Sequence, residues 1–282
     1  MDPAITSSIF ANALAGLVSK TFCAPDANVT FISSDDIRFK IHQTHLNAST
    51  SIGFARPDGV STGSEVVQLS EPAKVVEILF QFIQPPSEAQ NNRQPSISNI
   101  EITLFFQLAE AAEKYVVYGA MNVCMMRMGQ IVDDHPFDVL NHCVKHGYSD
   151  LADVAAKNAI PLPLDQAALK LTAPGLLAKY VTYYTTSRKL GDTIAAKLAD
   201  IALINNCPIW TTTYILYRRH LDKNPLLFHE IPPIPTSSPV KCTVTIEDPN
   251  TICSCSGKAL RNIVDKVTGR KELIVKFSSI TV

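Results

Sequence analysis

The stretch Asn99–Met128, NIEITLFFQLAEAAEKYVVYGAMNVCMMRM, decides the fold. Ile100, Leu104, Leu108, Ala111, Ala112 and Tyr115 recur every three to four residues, the spacing that lines one face of an α-helix. Such a face predicts burial. Val116 and Val117 are β-branched and Gly119 lowers helix propensity, so a break is expected between Val116 and Gly119. A second period then starts on Ala120, Val123, Cys124 and Met128. Helices this apolar do not stand alone in water, and the pair reads as the floor on which the preceding strands and the following helices pack.

The rest of the composition allows such a core. At 282 residues and 46% hydrophobic, the chain has room for one large domain or two of ordinary size. Its 25 basic and 26 acidic residues leave a net charge of −1, without the positive excess that grips nucleic acid or anionic lipid. Seven irregularly spaced cysteines argue against a disulfide scaffold and for free thiols in a reducing compartment, so an intracellular location in cytoplasm or nucleus is expected. The apolar run Ile9–Val18 has the length of a signal-peptide core, but Met1-Asp2-Pro3 brings no basic residue before it, and ten residues are about half a membrane span. The glycosylation-type triplets at Asn28 and Asn47 carry no meaning in such a compartment.

In chain order, Ile9, Phe10, Ala13, Leu14, Leu17 and Val18 form an apolar stripe on a predicted N-terminal helix, with Ser7 or Ser8 as cap. Phe22–Ala27 reads as a turn-rich lead-in. Val29–Ile32 and the alternating Ile37–Ile41 then read as a hairpin, followed by a short helix over Thr44–Ser51 and a Gly/Pro loop through Gly63. Glu65–Leu69 predicts a third strand and Ala73–Ile83 a helix that buries Val75, Val76, Leu79, Phe80 and Phe82. After a loop over Pro85–Pro95 and the central helix pair, Val139, Leu140, Cys143 and Val144 mark a helix ended by Gly147, with Asp150–Ile160 as its antiparallel partner. Helical periods continue over Leu164–Leu171, Gly175–Tyr184, Leu190–Leu203 and Ile209–Leu221. The proline run from Pro232 to Pro239 reads as a stiff linker. Beyond it, strands are expected at Thr243–Ile246 and Leu273–Phe277 with a helix over Ser256–Val267 between them.

Two strands, a short helix, a third strand, a longer helix and a helical pair make up the order of a BTB/POZ domain. Phe39-Lys40-Ile41-His42-Gln43-Thr44-His45-Leu46 resembles that family's strand-to-helix signature, Val66–Pro72 its third strand and helix entry, and Leu108-Ala109-Glu110-Ala111-Ala112-Glu113-Lys114-Tyr115 its "AA-x-KY" helix. Ala24–Val29, Tyr118–Cys124 and Lys145–Leu151 are similar to the fungal branch. The resemblance covers Phe22 to Ala156, with Asn28 standing where the family usually has aspartate. It implies an α+β fold, a short mixed sheet covered by helices, followed by a helical extension and a small C-terminal α/β-like piece. The expected division is 1–21 as N-terminal helix and candidate dimerisation arm, 22–130 as BTB/POZ domain, 131–231 as helical extension, 232–240 as Pro-rich linker and 241–282 as a small C-terminal segment.

The function so implied is a non-enzymatic protein-interaction module that forms a homodimer and presents a second surface to a client protein. Ile9, Phe10, Leu14 and Leu17 are its expected self-association residues. One alternative is an adaptor of a cullin-type ubiquitin ligase, although Gly53–Ser64 lacks the helix and hydrophobic-x-Glu motif of the relatives that recruit cullins. Another is an unrecognised enzyme or metal-binding activity within 161–282. No cofactor motif is present, neither Gly-x-Ser-x-Gly, His-Glu-x-x-His nor a phosphate-cradling glycine loop. Cys242, Cys253 and Cys255, with His220 or His229, are weak metal candidates because Cys-x-Cys is tighter than a zinc knuckle. His42 and His45 are three apart, and the resemblance makes His42 a structural histidine. Cys124 and Cys143 read as small core residues, and Asp35-Asp36 and Asp133-Asp134 as solvated turns.

Overall fold

The computed structural model describes residues 17–50, 54, 66–85, 93–205, 208–223 and 276–281. The chain divides into two compact units, Met1–Gln130 and Ile131–Val282. The architecture is mixed α+β, and the sheet belongs to the first unit.

In that unit β1 (Val18–Cys23), β2 (Val29–Ile32), β3 (Arg38–Ile41) and β4 (Val66–Gln68) lie in the order β1-β3-β2-β4. β2 and β3 form the antiparallel hairpin expected from their alternation, with Phe31 opposite Phe39, whereas β1 runs parallel to β3 and β4 parallel to β2. Between the strands and after them come α1 (Gln43–Ser49), α2 (Ala73–Gln81), α3 (Ile102–Lys114) and α4 (Tyr118–Ile131). The core forms where Phe22, Phe31 and Phe39, one from each of β1 to β3, meet Phe80 of α2 at centroid distances of 5.7, 5.3 and 5.6 Å. All five residues expected to be buried between Val75 and Phe82 are buried.

The central pair forms as the periodicity predicts, with two adjustments. The buried stripe of α3 is Phe105, Leu108, Ala109, Ala111 and Ala112, continued by Tyr115; Leu104 is only half-buried and Ile100 precedes the helix. Phe105 takes the inward place because 105, 108, 109 and 112 keep the same three-to-four spacing with a larger ring. The break falls at Tyr115–Val117 and not at the glycine. Val116 N–H donates to the Glu113 carbonyl at 3.2 Å and Val117 N–H to the Ala112 carbonyl at 2.9 Å, the paired bonds of a Schellman cap. That cap needs a left-handed residue, and here valine fills it at φ 52°. Gly119 lies inside α4, where a Cβ would stand 3.5 Å from the Phe82 ring.

A third difference lies at the start. Val18, assigned to the N-terminal helical stripe, is the first residue of β1, which takes in Phe22 and Cys23 of the lead-in, while the expected turn follows at Pro25-Asp26, closed by Ala27 N–H donating to the Ala24 carbonyl at 3.2 Å. Pairing with β3 makes Val18 extended, and its side chain is exposed while the buried residues of β1 are Ser19 and Phe22, outside the apolar stripe. The stripe residues before Leu17 lie outside the described residues, as do most of the loops 53–63 and 85–95.

The second unit is built from α5 (Pro136–His146), α6 (Ser149–Ala159), α7 (Leu164–Lys170), α8 (Leu176–Asn205) and α9 (Pro208–Lys223). Pro136 opens α5 at a position where its missing N–H costs nothing, and Gly147 closes it at φ 81°. α6 packs on α5 through Ala152, Ala155, Ala156 and Ala159, whose small side chains admit close approach. The two helices expected over Gly175–Tyr184 and Leu190–Leu203 are one, α8, because Thr185-Thr186-Ser187-Arg188-Lys189 contains no proline or glycine to end it. The strand expected over Leu273–Phe277 does not extend to Phe277, which starts a 3₁₀ turn through Ser279. The expected linker, the strand at Thr243–Ile246 and the helix at Ser256–Val267 lie outside the described residues.

Leu108→Asp should unfold the first unit, since Leu108 is 0% exposed and a carboxylate there meets no water. An unchanged melting temperature refutes that placement. Val116→Gly should be neutral or raise the melting temperature, because glycine relieves a left-handed strain of about 1–2 kcal/mol. A clear loss of stability would mean that Val116 is not in that conformation.

Candidate functional site

Two features of the first unit stand out as places where chemistry or contact could be built. The first is a polar knot between the entry of α2 and the end of α3. Glu71 precedes Pro72 and is held there by the turn out of β4, where Leu69 N–H donates to the Ile32 carbonyl at 2.7 Å. Lys114 Nζ donates to Glu71 Oε1 at 2.8 Å and to Ser70 Oγ at 2.6 Å, while the Tyr115 hydroxyl donates to Glu71 Oε2 at 2.5 Å. The Glu71 side chain is 14% exposed. Burial alone would push its carboxyl up, but the hydrogen bonds from Lys114, Tyr115 and Ser70, together with the lysine charge, outweigh this and hold it below the ordinary value. Burial pulls Lys114 down and the same carboxylate pulls it up, with the net effect upward. Tyr115 is raised by burial and then by Glu71, so its hydroxyl stays protonated and donating. The knot is saturated, which suits structure better than catalysis.

The second feature is the pair of sheet edges. Among the described residues β1 pairs only with β3 and β4 only with β2, so each has an outer edge. At one edge Leu17 is 75% exposed beside exposed Val18, and at the other Val66 and Val67 are both exposed. Leu17 is fixed because its carbonyl accepts the Arg38 N–H at 2.8 Å. Ser19, the buried residue next to Val18, accepts from Thr21 N–H and Phe22 N–H and donates to Glu77 Oε2 at 3.2 Å, which explains the irregular register of β1. Unpaired backbone beside apolar side chains is what strand addition uses.

The residues singled out in the sequence are scattered over the fold. Leu17 is exposed at the β1 edge, and Ile9, Phe10 and Leu14 lie outside the described residues, as do Cys242, Cys253, Cys255 and His229. The rings of His42 and His45 stand 5.1 Å apart, with His42 Nε2 3.7 Å from Asp26 Oδ1. Burial, and then His42, hold His45 below its ordinary value, so it is neutral at pH 7. Asn28, the departure from the family pattern, has its own use: its Oδ1 accepts the Gln43 N–H at 2.8 Å and so supports the start of α1. Asp35 is not simply a solvated turn residue. It accepts the Ala73 N–H at 2.8 Å and caps α2 from the β2–β3 turn. Asp133 accepts from Asn158 at 2.5 Å. Cys124 and Cys143 are buried and pushed up to about 12 by that burial, which leaves them inert thiols. His142 and His146, one turn apart on α5 with centroids 4.5 Å apart, were not anticipated. Their spacing can serve a metal, and buried His142 stacks on Tyr148.

Compared with models of known protein families and with curated proteins, the sequence matches none. No helix among the described residues is long and apolar enough to cross a membrane.

The knot sets a pH dependence. Glu71 has a lowered folded value, so its contribution is present above the ordinary 4.5 and is lost as pH falls through the folded value. Lys114 has a raised one, so its contribution is present below 10.5 and is lost as pH rises through the folded value. Glu71→Gln should therefore melt lower than wild type at pH 7 and converge with it on acidification below pH 4.5. A constant gap across that range would refute the ionic part of the knot.

Proposed function

We propose that the chain is a BTB/POZ-type protein-interaction module, non-enzymatic, that self-associates through its first unit and presents a further surface to a client protein. The observation that carries this is the agreement between the family-like motifs and the contacts their residues make. The hairpin β2–β3 leads into α1, β4 adds parallel to β2, and the Glu71 of the third-strand motif is clasped by the Lys114 and Tyr115 of the "AA-x-KY" helix. The two edges supply the apolar, backbone-exposed surface that self-association needs, and Leu17 is the expected self-association residue that the described structure includes.

The test is the mass in solution. At tens of micromolar the 30.8 kDa chain should give twice its own mass by light scattering. Because β1 begins at Val18, removing the first twenty residues would cut into the sheet, and a point change is cleaner. Leu17→Asp touches no core, so it should leave the melting temperature unchanged while shifting the mass toward the monomer. A wild-type chain that is monomeric at that concentration refutes the self-association.

A further inference from the structure

The last described segment lies on helices far from it in sequence, and it is held there by two kinds of contact at once. Phe277 is 1% exposed, edge-on to Tyr183 of α8 at 5.7 Å, with Lys179 Nζ 4.8 Å over its ring. The next residue is read at both of its donors. Ser278 N–H donates to Asp153 Oδ1 on α6 at 2.7 Å, and its hydroxyl donates to Oδ2 at 3.0 Å. One carboxylate thus checks a backbone and a side chain in the same residue, a geometry that only an unmodified serine or threonine completes. The 3₁₀ turn that presents the two residues is closed by its own bonds, Ser279 N–H and Oγ both donating to the Lys276 carbonyl. The segment therefore meets the helices as a short preformed ligand: an aromatic anchor, then a polar check. Ser278 itself is exposed to solvent on its outer side.

We propose that the face shared by α6 and α8 is a recognition site for an aromatic–serine peptide, filled in cis by the chain's own Phe277-Ser278, and that it rejects the phosphorylated serine. A phosphate on the Ser278 oxygen would remove the proton donated to Asp153 and set negative charge against that carboxylate. Segment 276–281 is then the site's tethered competitor, and any other carrier of the motif gains entry when the tail leaves. This goes beyond the self-association reading and stands whether or not the chain dimerises.

The probe is a fluorescein-labelled peptide of residues 274–282, Ile-Val-Lys-Phe-Ser-Ser-Ile-Thr-Val, titrated against the full chain with its own anchor removed by Phe277→Ala. Polarisation should show saturable binding, about tenfold or more tighter than to wild type, whose site is filled. Binding should weaken about tenfold when the peptide serine is phosphorylated or when Asp153→Ala is added. A folded Phe277→Ala chain that binds no peptide, or that binds both forms of it equally, overturns the proposal. If Phe277→Ala does not fold, Ser278→Glu in the otherwise intact chain decides it. Trypsin should then release residues 277–282 after Lys276 about tenfold faster than from wild type, as read by intact mass, and an equal rate overturns the proposal.

Discussion

The first unit depends on the ring of Phe80. It stands on α2 and meets Phe22, Phe31, Phe39 and Phe54 edge-on at 5.3 to 5.9 Å, so that three strands and one helix share a single contact. Each such pair adds roughly 0.5–1.5 kcal/mol beyond the area it buries. More important is what the cluster forbids. A one-residue slip of β2 against β3 would turn Phe31 or Phe39 to the opposite face, and a rotation of α2 would take Phe80 from all of them. Register of the sheet and orientation of the helix are therefore one decision.

Polar contacts finish what the rings begin. Asp35, in the β2–β3 turn, caps α2 from outside its own segment, so the hairpin also sets where that helix starts. Tyr115 joins the two systems in one side chain: its ring stacks on Phe54 at 4.5 Å while its hydroxyl donates to Glu71. The end of α3 is thereby tied to the entry of α2 and to the rings beneath the sheet. This explains why valine is tolerated in the left-handed cap at 116. The Tyr115 anchor before it and the Thr50–Val117 bridge after it hold the chain there, and the surrounding contacts offset the strain.

The elements legible in the sequence were those whose signal is local. Period-two alternation in Ile37–Ile41, the three-to-four period of α3, proline at the start of α5 and glycine at its end each state a backbone requirement within a few residues. What escaped was long-range. β1 has no turn signal before it and is defined by its pairing with β3; α8 looked like two helices because its apolar period lapses across Thr185–Lys189, although nothing there ends a helix. The candidate sites divide in the same way. Glu71, Lys114 and Tyr115 stand in family-like motifs, yet their mutual clasp spans more than forty positions and leaves no local trace. Asp153 and Ser278 are 125 positions apart, and neither carries a mark of the other.

The sheet edges arise from the same economy. β4 has three residues, all exposed, so neither of its faces is covered; it is held by the ladder to Thr30–Ile32 and by the residues just beyond its C-terminal end. Leu69 is buried and bonded to Ile32, Gln68 reaches the Ser33 carbonyl at 3.0 Å, and Glu71 enters the knot. β4 is thus placed by its C-terminal neighbours, and the side chains of Val66 and Val67 contribute little to the unit's own core. At the opposite edge Ser19 and Phe22 are the buried residues of β1, leaving Leu17 and Val18 outside. Apolar side chains scattered singly over a surface need no explanation. Adjacent pairs at both edges that are open among the described residues, beside strands already secured by other residues, are surface the described core does not use, and that is the physical ground of the proposed interaction role.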